Sequence, residues 1–337
     1  FCEPLGGAVR AIAAAIAAGC PTIVCPAAEA PLSCLAFTDL LQEAGLPRGW
    51  VQAVVDADGS LGAVLAADAR LGYLSFAGDA ETGWALRSRL APGARCGLLH
   101  GTSAPVVVAG DVDVYEVREA VLKGCFAHAG QLPVSVRRIF AHTKVATRFA
   151  TQLAMKASGL LVGDPQHPDT DVGPMISPDA AARLHDCVRE AVSGGGQLLT
   201  GGERLTETLY PPTVIFDPPP DCRLMTAHVP GPVVCVDPWF RVEDALARAN
   251  SLAGAGPAAV FTRDIDRAME IAAGLDASAV MVNDHTAFGA AWAPSAGLRE
   301  AGLGRAGVPS AIREMQSEKM TVLRTAPLTP PPDAGPA

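Results

Sequence analysis

Short apolar runs alternate with longer stretches of helical periodicity along the first hundred residues. Apolar runs at 22–25, 51–55 and 73–76 have the length of strands, and helical patterns separate them. An alanine-rich stretch at 8–18 precedes the first run and ends at a Gly-Cys-Pro turn. Strands that alternate with helices are typical of a parallel sheet covered by helices. We therefore predict a doubly wound α/β domain over residues 1–100.

Residues 101–305 continue this alternation with longer helices, and they predict a second α/β domain. Asp113 stands where an N-cap residue would begin the first of these helices. The predicted helices span 113–129, 144–158, 177–194, 242–250 and 263–274, and the predicted strands span 106–109, 260–261 and 280–283.

The last part of the chain predicts a return segment at 306–325 and a proline-rich, disordered tail at 326–337. Within the return segment, KMTVLRT at 319–325 alternates with period two, which is typical of a strand. A terminal strand leaves its backbone groups unpaired unless it finds the edge of a sheet. We therefore expect this strand to dock on another module or subunit, which predicts a homo-oligomer.

Composition narrows the function classes. The chain has a net charge of −9 and no basic run, which argues against a nucleic-acid or anionic-membrane partner. The longest apolar stretch, at 11–18, is too short to span a bilayer. Nine scattered cysteines form no C-x-x-C pair and predict no metal site, and unpaired thiols favour a reducing, cytoplasmic location. Because the sequence starts at Phe1, we expect a module of something longer.

A series of short motifs resembles the aldehyde dehydrogenase superfamily in order and spacing. A single glycine-rich loop would be weak support, but the series extends over nearly the whole chain. The motifs are AAGCP (17–21), EAGLPRG (43–49), F-x-G-x-x-x-x-G (76–83), GDP (163–165), DVGPMIS (171–177), PPTV (211–214), GPV (231–233), VFTRD (260–264), VND (282–284) and PSAGLREAGLGRAG (294–307). The resemblance implies a Rossmann-type cofactor domain followed by an α/β catalytic-type domain, with the family's N-terminal part missing.

The resemblance also shows which reacting groups are replaced. The family's nucleophile ends an N-x-G-Q-x-C stretch, but HAGQLP at 128–133 places Pro133 at the cysteine position. The general base belongs to L-E-L-G-G, and LLHGT at 98–102 places Leu99 there. The oxyanion-binding asparagine of F-N-F-P-L is replaced by Cys2. Proline lacks both a nucleophile and an N–H, and leucine cannot accept a proton. We therefore predict no catalytic residues.

Other side chains do not restore this chemistry in the sequence. His100 neighbours Leu99, but in a strand it points to the opposite face. Cys125 precedes Pro133 on the same segment, and no neighbouring lysine or histidine lowers its pKa in a way that the sequence shows. We interpret Cys125 as a buried structural thiol, although a displaced thiol with esterase-like chemistry is an alternative.

The expected cofactor contacts are only partly kept. Gly78 and Gly83 preserve the turn of the cofactor loop, which we identify as a degenerate binding site. Between them, Asp79 replaces a serine and places a carboxylate beside the expected pyrophosphate, although Asp79 also suits an N-cap. Three further family contacts are replaced by Cys25, His228 and Pro230. We therefore predict weak or absent NAD binding, and no cofactor.

These replacements favour a catalytically inactive module that serves a structural or protein-interaction role. Its partner would be another protein or a second aldehyde dehydrogenase module, as in aldehyde dehydrogenase family sixteen, which the chain resembles in lacking the cysteine. Two alternatives remain open. In the first, this chain is one module of a longer chain, and another module carries NAD(P)-dependent aldehyde oxidation. In the second, this chain is a nucleotide-binding sensor without turnover.

Overall fold

The computed structural model describes residues 3–56, 59–287, 290, 292–294 and 296–324. The helices in these ranges are α1 (Pro4–Ala17), α2 (Leu32–Glu43), α3 (Ser60–Ala66), α4 (Ala80–Arg87), α5 (Val114–Phe126), α6 (Ala146–Ala157), α7 (Pro178–Ser193), α8 (Arg223–Thr226), α9 (Val242–Ala249), α10 (Ile265–Gly274) and α11 (Val308–Met315). The strands are β1 (Thr22–Val24), β2 (Val51–Ala53), β3 (Tyr73–Gly78), β4 (Arg95–His100), β5 (Pro105–Val108), β6 (Arg138–His142), β7 (Gln197–Thr200), β8 (Thr213–Phe216), β9 (Val233–Trp239), β10 (Gly254–Ala255), β11 (Pro257–Phe261), β12 (Ala279–Val282), β13 (Leu298–Arg299) and β14 (Gly302–Leu303).

The strands of the first hundred residues form two small sheets in the described part of the chain. β1 pairs in parallel with β2, and β3 pairs in parallel with β4. The late strand β14 adds to β4 in antiparallel orientation, so a segment two hundred residues away completes the second sheet. Helices α1 and α2 cover the first sheet through a core that contains Ile12, Cys34 and Val51. The α/β class is confirmed, but the sequence did not show that the parallel strands separate into two sheets.

A seven-stranded sheet forms the larger unit, in the order β12-β11-β5-β6-β9-β8-β7. All neighbours in this sheet are parallel except β7, which pairs antiparallel with β8 at one edge. Val106 and Val108 face a core that includes α5 and α6, whereas Val107 faces a core that includes α7, α9 and α10. Alternate residues of one strand thus pack on helices at opposite faces, which is the doubly wound arrangement.

The capping prediction for α5 is confirmed, since the Asp113 carboxylate accepts a hydrogen bond from the Tyr115 N–H at 2.9 Å. The strand predicted at 319–325 is not present as a strand in residues 316–324, which have no regular structure. Met320, Val322 and Leu323 are more than three-quarters exposed, so no sheet edge among the described residues covers them. Thr325 and the predicted tail at 326–337 lie outside the described residues. Across the described ranges, the helices are too short or too polar to cross a membrane.

Candidate active-site junction

Three segments meet at one place, here called the junction: residues 99–103 at the carboxyl end of β4, the turn 128–133 after α5, and the loop 227–231 before β9. The Pro133 carbonyl accepts hydrogen bonds from the Thr102 N–H at 3.0 Å and the Thr102 hydroxyl at 2.7 Å. The Ser103 hydroxyl donates to the Ala227 carbonyl at 3.3 Å. The structure therefore brings together the segments in which the sequence placed the nucleophile, the base and a ribose contact.

The turn that would present a nucleophile has an unusual backbone. His128, Ala129 and Gly130 have consecutive positive φ angles of 53°, 54° and 62°. Positive φ is unfavourable for histidine and alanine, and its persistence requires support from the surroundings. Gln131 supplies part of that support, because its side-chain oxygen accepts from the Ile176 N–H at 2.8 Å. At Gly130 a Cβ would overlap the Gly231 carbonyl, so glycine is required there. The turn is intact although its expected nucleophile is replaced.

The predicted catalytic positions provide no reacting group among the described residues. Pro133 has no thiol and no N–H, and its carbonyl already accepts hydrogen bonds from Thr102. Leu99 lies opposite Gly302 of β14 and opposite Ala77 of β3, where it contributes only a half-buried hydrocarbon side chain. Cys2, the third predicted position, lies outside the described residues.

Cys125 does not offer a replacement nucleophile. Its side chain is fully buried, and burial raises the pKa of its thiol, with a smaller opposing effect from Arg137. A buried thiol with a raised pKa is inert, because the thiolate is the reactive form. The alternative of a displaced thiol gains no support from this residue.

A buried arginine, which the sequence reasoning missed, lies beneath the turn. Arg137 donates to the Gly231 carbonyl at 3.1 Å and to the Leu132 carbonyl at 3.4 Å, and so ties the turn to the loop before β9. Burial lowers its pKa to about 10, so the guanidinium stays charged near neutral pH. The only sequence signal was a pair of arginines at 137–138 that interrupts an apolar run.

His228 reaches across the junction from its loop to Gly101, where a Cβ would overlap the imidazole. The residue as a whole is exposed, although its imidazole packs against Gly101. Desolvation, and then the charge of Arg137, lower the pKa of His228, while a backbone hydrogen bond with Thr102 opposes the shift. The imidazole is therefore neutral at physiological pH.

The predicted cofactor loop leads from β3 into α4. The Asp79 carboxylate accepts from the Thr82 N–H at 2.8 Å, which confirms its expected capping role. A Cβ at Gly78 would overlap the Phe76 ring, and one at Gly83 would overlap the imidazole of His100. Packing therefore requires glycine at position 83, where His100 is buried, whereas at position 78 the Phe76 ring would have to shift. His100 is buried against α4 and is not placed to act as a base at the junction.

Comparisons with known proteins agree with this architecture. The sequence model of the aldehyde dehydrogenase family matches residues 1–321. The 3-sulfolactaldehyde dehydrogenase of Priestia aryabhattai is 30% identical over 323 residues, which are 96% of this chain and 67% of that protein.

Two solved structures with NADP bound are similar in sequence and in fold. The glyceraldehyde-3-phosphate dehydrogenase of Methanocaldococcus jannaschii is 31% identical, with a TM-score of 0.88 over 93% of this chain and 68% of its own. The NADP-dependent glyceraldehyde-3-phosphate dehydrogenase of Bacillus halodurans is 28% identical, with a TM-score of 0.92 over 96% and 67%. This chain thus spans about two thirds of the length of these relatives.

The cofactor prediction is contradicted by these comparisons. The sequence predicted no cofactor and weak or absent NAD binding, because several family contacts are replaced. Relatives that share this fold at about 30% identity are in complex with NADP, so nucleotide binding is the expectation that the comparisons support. The replaced contacts were side chains, whereas a helix N-terminus holds a pyrophosphate largely through backbone N–H groups. By its matching residues and its fold, the chain belongs to the aldehyde dehydrogenase family.

Proposed function

We propose that this chain is an NAD(P)-binding member of the aldehyde dehydrogenase family that does not itself oxidise aldehydes through a thiolate. The observation that carries the proposal is Pro133. It occupies the nucleophile position on an intact turn, and Thr102 holds it by two hydrogen bonds. The turn is therefore built and fixed around a residue that cannot attack a carbonyl carbon.

The residues of the cofactor loop fit a dinucleotide. The first N–H groups of a helix have no partner within the helix, and the Asp79 carboxylate takes only that of Thr82. The N–H groups of Ala80 and Glu81 remain for a phosphate, with the positive end of the α4 dipole behind them. The Asp79 charge opposes the phosphate, but this side chain is exposed and water screens the repulsion. When bound, the nucleotide supplies a hydride acceptor.

Even with a nucleotide bound, the junction would lack the groups that aldehyde oxidation needs. Attack on the carbonyl needs a nucleophile, and release of the acyl group needs a base that activates water. Pro133 and Leu99 supply neither. Proline also removes a backbone oxyanion donor, and the loss of one such donor typically costs about 2.7–4 kcal/mol of transition-state stabilisation.

A second candidate function places aldehyde oxidation in another module, with this chain as its structural or protein-binding partner. It is considered because the relatives are named as dehydrogenases, whereas Pro133 and Leu99 supply neither a nucleophile nor a base in this chain. Assembly with a second module, including the two-module arrangement of family sixteen, and homo-oligomer formation remain predictions.

The test measures binding and turnover separately. Titration of the purified chain with NADPH, followed by its fluorescence, should show saturable binding. Incubation with NAD or NADP and aldehydes such as lactaldehyde or glyceraldehyde 3-phosphate should produce no reduced nucleotide. Steady turnover would overturn the inactive assignment, and its loss on alkylation of the cysteines would show that a thiolate carries the reaction. Absence of NADPH binding would overturn the nucleotide assignment.

A further inference from the structure

Two ring N–H groups from different elements meet at one backbone carbonyl. The Glu300 carbonyl accepts a hydrogen bond from the Trp84 indole N–H at 3.2 Å, and it lies 2.8 Å from Nδ1 of His100. Trp84 belongs to α4, His100 ends β4, and Glu300 lies between the short strands β13 and β14. A carbonyl oxygen has two lone pairs, so it accepts both hydrogen bonds.

This contact places a proton on one ring nitrogen of His100. Because a carbonyl only accepts, Nδ1 must be the donor to Glu300. Nε2 is buried and has no hydrogen-bond partner among the described residues. It lies against Gly83, where a Cβ would overlap it. The absence of a side chain at Gly83 therefore makes room for the imidazole, which reaches Glu300 through its other nitrogen.

The surrounding contacts join α4, β4 and the β13–β14 hairpin. The His100 ring meets the rings of Trp84 and Phe76 edge-on, with centroids 5.7 and 6.2 Å away. The backbone N–H of His100 donates to the Ala301 carbonyl at 2.9 Å, which attaches the hairpin to the end of β4. Helix α4 has only eight residues, so contacts at Gly83 and Trp84 constrain much of its length.

We propose that His100 and Trp84 are positioning residues for the nucleotide: they lock α4 to the Glu300 carbonyl and so fix where its N-terminus points. The proposal rests on the NAD(P) binding proposed above. Neither side chain needs to touch the nucleotide, because the lock acts through the orientation of the N–H groups at the start of α4. His100 stands where the L-E-L-G-G motif has a leucine, which cannot donate to Glu300, so the lock uses residues of this chain's own.

The test compares three variants in the full chain. His100→Leu and Trp84→Phe each remove one donor while keeping an apolar side chain, and His100→Asn keeps a donor close to the position of Nδ1. Two measurements apply to each: NADPH affinity by fluorescence titration, and hydrogen exchange of the amides in Ala80–Arg87. His100→Leu and Trp84→Phe should each weaken NADPH binding about fivefold and accelerate exchange in α4 by a similar factor, as expected for one ordinary hydrogen bond. His100→Asn should stay within about twofold of the unaltered chain.

Three results would contradict the proposed positioning role of His100 and Trp84. Unchanged α4 exchange in both donor-removing variants would show that the Glu300 contacts do not hold the helix. Faster exchange with unchanged NADPH affinity would show that the lock is structural only. Equal damage in His100→Asn and His100→Leu would show that volume matters and not the donor. If the unaltered chain binds no NADPH, the proposed function and the positioning role both fail, and the exchange measurement still decides whether the lock exists.

Discussion

At position 133 one proline removes two groups that acyl transfer requires, a nucleophile and a backbone donor. The rest of the turn keeps its left-handed residues, the hydrogen bond that Gln131 accepts from the Ile176 N–H, and the one that the Leu132 carbonyl accepts from Arg137. The loss is therefore confined to the reacting groups at position 133, and the backbone path that would present a nucleophile is maintained. This separation allows the reacting groups to be restored one at a time.

Pro133→Cys alone should not produce a dehydrogenase. The Thr102 hydrogen bonds involve a backbone carbonyl and survive the substitution, so the turn should keep its place. Leu99 still offers no base to activate water, so any acyl enzyme would not be released. We expect a new alkylatable thiol and at most one NADPH per chain, because an acyl enzyme that is not hydrolysed blocks further turnover. The double variant Pro133→Cys/Leu99→Glu is the matched comparison. Sustained turnover by the single variant would show that Leu99 is not limiting.

His228 should make the folded chain sensitive to mild acid. Its pKa in the folded chain lies below the ordinary value of 6.5, so below that pH the unfolded chain binds a proton that the folded chain does not. Its contribution to stability is therefore retained at neutral pH and declines as the pH falls from about 6.5 toward the lowered pKa. One proton limits the slope to about 1.4 kcal/mol per pH unit, and solvent access makes it smaller.

His228→Gln should reduce this acid sensitivity. The free energy of unfolding, measured with urea at a series of pH values, should fall less steeply below neutral pH than in the unaltered chain. Carboxylates titrate in both proteins, so the difference between the two curves isolates the imidazole. Two parallel curves would contradict the assignment of a lowered pKa to His228.

At the scale of elements, the sequence predicted best where hydrophobic periodicity dominates. The predicted helices 177–194 and 242–250 end within one residue of the observed Pro178–Ser193 and Val242–Ala249, because both have strong amphipathic patterns and Ser177 caps the first. The pairing of β14 with β4 was not predictable, because two-residue strands distant in sequence carry no periodic signal.

The candidate site was predictable only in part, for a related reason. Pro133, Leu99 and His228 were located by motif, and the structure brings their segments together. The contacts of Thr102 with Pro133 and of Trp84 with Glu300 join residues 31 and 216 positions apart. Such contacts depend on tertiary packing and leave no local pattern. Backbone donors at a helix start are equally invisible in side-chain motifs, which explains why the prediction of no cofactor was wrong.

Helix α4 allows charge and capping to be tested separately at Asp79. Asp79→Ser keeps a capping oxygen for the Thr82 N–H and removes the negative charge, so NADPH should bind more tightly with little change in stability. Asp79→Ala removes both, so stability should fall by about 1 kcal/mol. NADPH titration and thermal unfolding of the two variants give the comparison. Weaker NADPH binding by Asp79→Ser would mean that the carboxylate assists the nucleotide.

At the scale of the whole molecule, the last described segment of the chain exposes apolar side chains to solvent. Residues 316–324 follow α11 without regular structure, and Met320, Val322 and Leu323 are 87%, 78% and 85% exposed. The same residues alternate with the period of a strand, although within this chain they pair with no sheet edge in the described ranges. Exposed apolar residues with strand periodicity favour association through a sheet edge on another molecule.

Removing this segment should therefore change the association state more than the stability of the fold. A chain that ends at Gln316 retains α11 and its packing on α1, so thermal unfolding at low concentration should be close to that of the full chain. Sedimentation at increasing concentration should show self-association of the full chain and a weaker tendency in the shortened one. Met320→Lys/Leu323→Lys is the matched variant, because it keeps the length and places charges on both faces of a strand. If all three proteins sediment as monomers with equal thermal stability, this segment has no role in assembly.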